Sequence, residues 1–246
     1  MLEVANATWP EVQQRLARPA VAVIAIGALE QHGPHLPLAT DTIMAEAVAH
    51  RLAGDIGALL LPPIAYGDAW NNRGFPGTLS LAPATVRAIV GDIGRGLHAA
   101  GLRALIVVNG HFGNREPIAL AARELHDSLG FALLALDYPD LERLAAQICT
   151  SAPAAPSFYH ADELETSIML ALAPATVHME RAAAEYPQFP PTYGAEPIML
   201  HTFCRSGVFG DPTQASAAKG QRLLDGIAAA CLRVATAFMA RLGLAE

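Results

Sequence analysis

Between Ala28 and Asp41 the chain reads Ala-Leu-Glu-Gln-His-Gly-Pro-His-Leu-Pro-Leu-Ala-Thr-Asp, placing two carboxylates, Glu30 and Asp41, close to two imidazoles, His32 and His35. Only 16% of the chain is charged, so a cluster of this kind is costly unless it serves a purpose. Glu30 and His32 lie two apart in a segment stiffened by Pro34 and Pro37, and positions i and i+2 of extended backbone point to one side. Both can therefore face one ion. Asp41, at a helix start, can aim its carboxylate back towards them, and His111 enters from a second strand end. Two imidazoles with two carboxylates make an N/O ligand set suited to Zn, Mn or Fe rather than Ca or Mg. With Asp41 bridging, such a set holds two ions about 3.5–4 Å apart, which bind a carbonyl and supply hydroxide at neutral pH. That is the equipment of a hydrolase. A lone histidine is more often a satisfied polar group than a ligand, and it is the convergence at two strand ends that favours the metal reading.

The elements around these residues read as α/β. Thr8-Trp-Pro-Glu11 has the form of a capping box and predicts a short helix to about Arg18. Val21–Ile26, apolar without alternation, predicts a parallel strand covered on both faces. A helix follows from Asp41 to about Ala53, then a short strand over Ala58–Leu61 ended by Pro62-Pro63. The loop from Ile64 to Thr78, rich in Gly, Asn and aromatics, is of a length that is usually functional. Pro83–Ala100 predicts a helix, Ala104–Val108 a central strand, and Asn109-Gly-His-Phe-Gly-Asn114 opens a helix to about Leu129. Phe131–Leu136 predicts a strand and Leu141–Ile148 a helix. After a break at Ser151–Pro156, Tyr159-His-Ala-Asp-Glu-Leu-Glu-Thr-Ser167 leads into a helix through Leu172. Residues 174–212 read as extended loop with an edge strand over Ile198–His201. Gly210-Asp-Pro-Thr caps a long helix, Gln214–Leu242, whose apolar stripe should cover one sheet face. Two strand ends thus carry the candidate site, where ligands bind in open α/β sheets.

The 246 residues suffice for one large core, and nothing in them demands a second, so the expectation is one domain over 1–246. A net charge of −7 without a basic run argues against nucleic acid. Arg222, Asp225, Arg233 and Arg241 interrupt the apolar C-terminal stretch, which argues against a membrane span. Cys149, Cys204 and Cys231 are odd in number and far apart, indicating neither a disulfide framework nor a zinc knuckle and fitting a reducing cytoplasm. The N-terminus shows no signal-peptide pattern. Gly94-x-Gly96-x-x-Ala99 matches a dinucleotide fingerprint only by accident, since it falls inside a helical segment. His50, His98 and His126 lie on helical patterns and read as solvent-facing.

Four motifs in this order, Glu-x-His-Gly-Pro-His-Leu-Pro-Leu-x-Thr-Asp, Phe-Pro-Gly-Thr-Leu-Ser, Val-Asn-Gly-His-x-Gly-Asn and His-Ala-x-Glu-x-Glu-Thr-Ser, resemble the creatininase (creatinine amidohydrolase) family. Gly207-Val-Phe-Gly-Asp-Pro212 is similar to its C-terminal motif, so the likeness runs from about residue 20 to 225. The resemblance implies a three-layer α/β/α domain with a mostly parallel sheet, and two divalent ions, Zn with Zn, Mn or Fe. It also implies hydrolysis of amide-type C–N bonds in small molecules and a homo-oligomer, often a hexamer. By position it implies that Glu30 binds one ion, that His32 and His111 bind the other, and that Asp41 bridges. His160 would be a proton donor or substrate anchor. Two departures matter. Creatininase has a carboxylate where this chain has Gly113, which makes Glu165, by charge and similarity, the candidate to complete the first ion's shell and to share in catalysis. Many relatives have a His where Asn72 stands.

Trp70, Asn71, Asn72 and Arg73 offer an aromatic and hydrogen-bonding wall for a polar ligand. Thr78 and Asn114, inside the Pro-Gly-Thr and Asn-Gly-His motifs, join Trp70 and Asn72 as candidate substrate contacts. His35 reads as a group that orients the loop, and Phe75 and Phe112 as packing. The first expectation is a metal-dependent amidohydrolase of a small polar substrate, a cyclic amide, a formamide or a short peptide, with C–N bonds other than peptide bonds favoured. A second keeps the metals but hydrolyses or opens an oxidised sugar or lactone, motivated by Asn72 and Gly113. A third is a non-catalytic small-molecule binder on the same fold, against which the complete set of Glu30, His32, Asp41, His111 and His160 counts.

Overall fold

The computed structural model describes residues 1–17 and 21–244. Five strands form one parallel sheet in the order β1-β3-β2-β4-β5: β1 (Leu2–Glu3), β2 (Ala22–Ile26), β3 (Leu59–Leu60), β4 (Ala104–Asn109) and β5 (Ala132–Leu136). Central β2 and β4 are buried along their whole length and pair in register from Ala22 opposite Leu105 to Ile26 opposite Asn109. Their unbroken aliphatic runs are explained by cover on both faces.

Alternate residues serve opposite layers. Val23, Ala25, Ile106 and Val108 pack with α2 (Thr40–Asp55), α5 (Leu141–Ile148), α6 (Glu163–Leu172) and α7 (Ala217–Arg241). Ala22, Ile24, Leu105 and Val107 pack with Val86 and Val90 of α3 (Pro83–Ala99) and with Ile118, Ala121 and Leu125 of α4 (Arg115–Leu129). The result is a three-layer α/β/α fold. The first helix, α1 (Trp9–Leu16), begins at a capping box in which the Glu11 carboxylate accepts from the Thr8 N–H at 2.6 Å. The expected extension to Arg18 lies outside the described residues.

The chain leaves β2 towards β3 on one side, then crosses back to place β4 on the other side of β2. The carboxyl ends of β2 and β4 are therefore the switch point of the sheet, and the segments leaving them open a crevice.

Beyond the two-residue β1, which no pattern predicts, three expectations are corrected. Ile198–His201 is no edge strand: Leu200–Thr202 is a single 3-10 turn, and Leu200 is buried with Phe209 in an aromatic cluster that also packs Phe158, Phe189 and Phe203. The long helix starts at Ala217, where the Ser216 side chain accepts from the Lys219 N–H, whereas Asp211 caps only the turn Pro212–Gln214. This helix holds an 18-residue window of mean hydropathy 1.6, so its charges alone do not exclude a span. Its apolar face is instead accounted for by packing, with Leu223, Leu224, Ile227 and Cys231 all buried in the core shared with α2 and α6.

Candidate metal centre and active site

Glu30 and His32 follow β2, His111 follows β4, Asp41 is the second residue of α2, and Glu165 lies in the first turn of α6. Four elements thus deliver five side chains to one crevice. Glu30, His32 and Asp41 are at most 2% exposed and His111 and Glu165 only 8%.

Asp41 is shared. Its Oδ1 lies 3.0 Å from His32 Nε2 and its Oδ2 lies 3.2 Å from His111 Nδ1. Glu30 Oε1 is 3.2 Å from the same His111 nitrogen, and Glu165 Oε2 is 3.7 Å from the same His32 nitrogen. Three groups have ligand atoms within 4.8 Å of one another: Glu30–Asp41–His111, His32–Asp41–Glu165 and Glu30–His32–His160, and the first two share Asp41. The division implied by resemblance, with His32 and His111 on one ion and Glu165 beside Glu30 on the other, is not the one the geometry draws: each imidazole stands with its own glutamate.

Carbonyl oxygens only accept, so the far nitrogens of both rings can be assigned. His32 Nδ1–H donates to the Glu30 carbonyl at 3.2 Å, and His111 Nε2–H donates to the Asp68 carbonyl at 2.8 Å. In their neutral form both rings present bare inward lone pairs to carboxylates, and His32 Nε2 and Asp41 Oδ2 are buried without a hydrogen-bond partner. Lone pairs facing lone pairs call for a cation, and imidazoles oriented by backbone carbonyls are the usual support of a metal site. The protonation tendencies agree. Burial pushes the His32 imidazole down, but Asp41, Glu165 and Glu30 outweigh it and raise it to about 10. Glu30 and Asp41 likewise overcome burial and raise His111. Burial, against His32 and with help from Asp41, lifts the Glu165 carboxyl above the ordinary carboxylate range. The buried nitrogen and oxygen donors fit divalent metal binding.

Gly113 has a definite job at this site. A Cβ there would stand 2.0 Å from the Asp68 carbonyl oxygen and 2.7 Å from His111 Nε2, so the residue leaves room for the bond that orients His111. Asn72 is buried and donates to Glu30 Oε2 at 2.8 Å, while its own oxygen accepts from Gln31 Nε2, also at 2.8 Å. It therefore lines the crevice while both ends of its amide are engaged with the protein. Asn114 is corrected as a substrate contact: it is fully buried, and its amide is spent on Gly27, Asn109 and the Asp68 N–H. Thr78 accepts from the Gln31 N–H, and Trp70 lies under the Arg73 guanidinium; neither lines the crevice. His35 bonds Thr166 at 2.8 Å and belongs to none of the ion-holding groups.

His160 does line the crevice, with Nδ1 3.8 Å from Glu30 Oε1 and its ring 4.5 Å from that of His32. Burial, with His32 nearby, pulls its imidazole down to about 4. Residues that the sequence did not nominate complete the walls: Phe112, Tyr138, Leu141, Phe158, Tyr159 and Leu200. No lysine or arginine lines the crevice among the described residues. Phe112 and Tyr159 adjoin His111 and His160 directly and were the legible ones; the others come from segments without a motif.

A family model described as creatinine amidohydrolase matches residues 5–235. The chain belongs to the creatininase family. Within that family it is 35% identical to the creatinine amidohydrolase of Pseudomonas putida over 237 residues, covering 90% of this chain and 91% of that one. It is 33% identical to the mycofactocin precursor peptide peptidase of Mycolicibacterium smegmatis over 221 residues, covering 86% and 82%. A third relative, the 3-dehydro-scyllo-inosose hydrolase of Thermotoga maritima, is 28% identical over 185 residues, covering 74% and 59%. Among solved structures, a manganese creatininase superposes with a TM-score of 0.82 at 32% identity, covering 95% of this chain and 96% of that one. These creatininase-family relatives are hydrolases by name, and this chain is an enzyme of that kind carrying buried groups able to bind metal.

Proposed function

We propose that the protein is an amidohydrolase dependent on two divalent ions, cleaving a C–N bond in a small substrate whose flank is apolar or aromatic. The observation that carries the reading is Asp41, which offers one oxygen to each of two imidazoles, with Glu30 and Glu165 standing outside them. A bound ion pair supplies Lewis acidity, polarising a carbonyl and making a water acidic near neutrality. Glu30, Asp41 and His111 would hold one ion, and His32, Asp41 and Glu165 the other. His160 faces the same space beside Glu30, where it meets the polar atoms of the scissile group. Phe112, Phe158, Tyr159 and Leu200 shield the other side from water and offer an apolar surface.

That lining favours a short peptide or an amide with an apolar substituent over a small polar ring. Both departures that motivated a sugar or lactone substrate have internal explanations, since Asn72 holds Glu30 and Gly113 admits Asp68. The Thermotoga relative's name keeps ring opening of an oxidised sugar as the second reading. We also propose a homo-oligomer in the cytoplasm, with assembly covering exposed Trp9, Tyr66 and Leu79, which light scattering tests.

The decisive experiment is elemental analysis of wild type and Asp41→Asn, with hydrolysis of amide, dipeptide and lactone panels on the same samples. About two transition-metal ions per chain, lost together with amide cleavage in the variant, is the expected result. Full activity in Asp41→Asn overturns the proposal, and cleavage restricted to lactones replaces it with the second reading.

A further inference from the structure

The residue between Glu30 and His32 is Gln31, 95% buried, and its side chain joins three parts of the site. Its Nε2 lies 2.8 Å from Asn72 Oδ1, 2.7 Å from His160 Nε2 and 3.2 Å from the Gly207 carbonyl, while its Oε1 lies 2.9 Å from the Gly33 N–H. The direction of every bond in this chain is fixed from its ends. The Asn72 nitrogen faces the Glu30 carboxylate and must donate, so the Asn72 oxygen faces Gln31 and must accept. Gly33 N–H can only donate, which places the Gln31 oxygen there and its NH2 towards Asn72 and His160. An inverted Gln31 amide would set oxygen against oxygen at Asn72 and N–H against N–H at Gly33. Two N–H bonds of Gln31 thus serve the two short contacts, with the Gly207 carbonyl as a third, longer acceptor. Gly207 itself has φ +81°, and a Cβ there would sit 1.8 Å from Gln31 Oε1, so the turn is shaped around this amide.

His160 Nε2 is consequently the acceptor of an N–H bond and carries no proton. We propose that Gln31 is a positioning residue that fixes His160 as its Nδ1–H tautomer and aims that N–H into the crevice as a hydrogen-bond donor to a substrate oxygen. The contrast with the two imidazoles already assigned is direct. His32 and His111 give their far proton to a backbone carbonyl and turn a bare nitrogen inwards, as ligands do. His160 accepts a hydrogen bond at its far nitrogen and turns its Nδ1–H into the crevice beside Glu30 Oε1, as a donor does. Although Glu30, His32 and His160 also come within 4.8 Å of one another, His160 as a metal ligand would need a bare Nδ1 and hence a proton on Nε2, pointed at the hydrogens of Gln31. An imidazolium at His160 meets the same obstacle. Of the two roles the family resemblance allows, Gln31 selects the substrate anchor over the proton-transferring acid. A neutral N–H aimed where negative charge develops on a carbonyl oxygen is the geometry of oxyanion stabilisation.

The tautomer can be read without turnover. Protein labelled with 15N-histidine and loaded with zinc is examined by long-range proton–nitrogen correlation, with His160 assigned by comparison with His160→Gln. The expected pattern is a protonated Nδ1 and an unprotonated Nε2. In Gln31→Glu, whose carboxylate only accepts, the proton moves to Nε2; in Gln31→Met the preference disappears. A protonated Nε2 or a zinc-shifted Nδ1 in the wild type overturns the proposal, and needs no variant to fold. A kinetic arm rests on the amidohydrolase reading: Gln31→Met should lower kcat by about 10- to 100-fold with little change in KM. Unchanged kcat in a variant with the altered tautomer overturns the positioning role, whereas absence of turnover in wild type with the expected tautomer indicts only the amidohydrolase reading.

Discussion

At the scale of single residues, the site is decided by which nitrogen of each imidazole carries the proton, and Gly113 shows how far that control reaches. Because a Cβ at this position would collide with the Asp68 carbonyl, Gly113→Ala must push away the acceptor that holds the His111 ring. Losing an outer partner of a ligating histidine costs about 10- to 100-fold in metal affinity. Competition with a chromogenic chelator should show that loss in Gly113→Ala, together with an unchanged far-ultraviolet spectrum; equal affinity would mean that the Asp68 bond does not orient the ligand. The residue types themselves were legible: Glu30, His32, Asp41 and His111 read as one N/O set from type and spacing, while His160 entered through the family motif. Their partnership was not. Whether Glu165 stands by Glu30 or by His32 depends on how α6 lies across α2, and no local pattern encodes that. Nor could spacing reveal that Asn72 and Asn114 spend their amides inside the protein, because an asparagine in a loop reads the same whether its partner is a ligand or a backbone carbonyl.

At the scale of elements, α6 must be held rigidly for Glu165 to meet His32, and Glu163 does much of the holding. Its carboxylate is 99% buried and accepts from the N–H groups of Thr150 and Ser151 and from Lys219 of α7, tying the loop after α5 to both helices. Burial pushes its pKa up, but the bonds from Lys219, Ser151 and Thr150 win and bring it down to about 2 from an ordinary 4.5. A group whose folded pKa is depressed contributes stability that is complete above its unfolded pKa and is lost as pH falls through the folded value. Glu163→Gln should therefore be about 2 kcal/mol less stable than wild type at neutral pH, with the gap closing between pH 4.5 and 2. Urea titrations of both proteins across that range measure it, and a gap independent of pH would show that Glu163 acts by shape alone. The elements themselves were legible in proportion to their regularity. Strands β2 and β4 are continuous aliphatic runs, and α5 has the boundaries its pattern predicts. Two-residue β1 has no period to detect. The apolar stretch Ile198–His201 reads as a strand, yet Leu200 goes into an aromatic cluster that only the folded chain assembles.

At the scale of the whole molecule, three buried carboxylates at one sheet end, Glu30, Asp41 and Glu165, make the fold itself a function of bound cation. An ion that binds only the native state stabilises it by mass action, by about 4 kcal/mol when free metal exceeds Kd a thousandfold. Chelation should therefore lower Tm, and restoring zinc or manganese should recover it. The size of the drop depends on pH in a predictable direction. In the chelated protein the His32 imidazolium is the cation facing Asp41 and Glu165, and its pKa is raised to about 10 from an ordinary 6.5. A raised pKa contributes stability that is complete below 6.5 and is lost as pH climbs through 10. The loaded protein holds no such proton, since ligation requires a neutral imidazole. The Tm difference between loaded and chelated protein should thus widen from pH 6.5 to pH 10, and binding at the lower end should release protons to the buffer. Calorimetric scans of both forms over this range are the check. A difference that stays constant or narrows would mean that the ions and the His32 proton do not compete for one place, and the crevice would then owe its cluster of carboxylates to something other than metal.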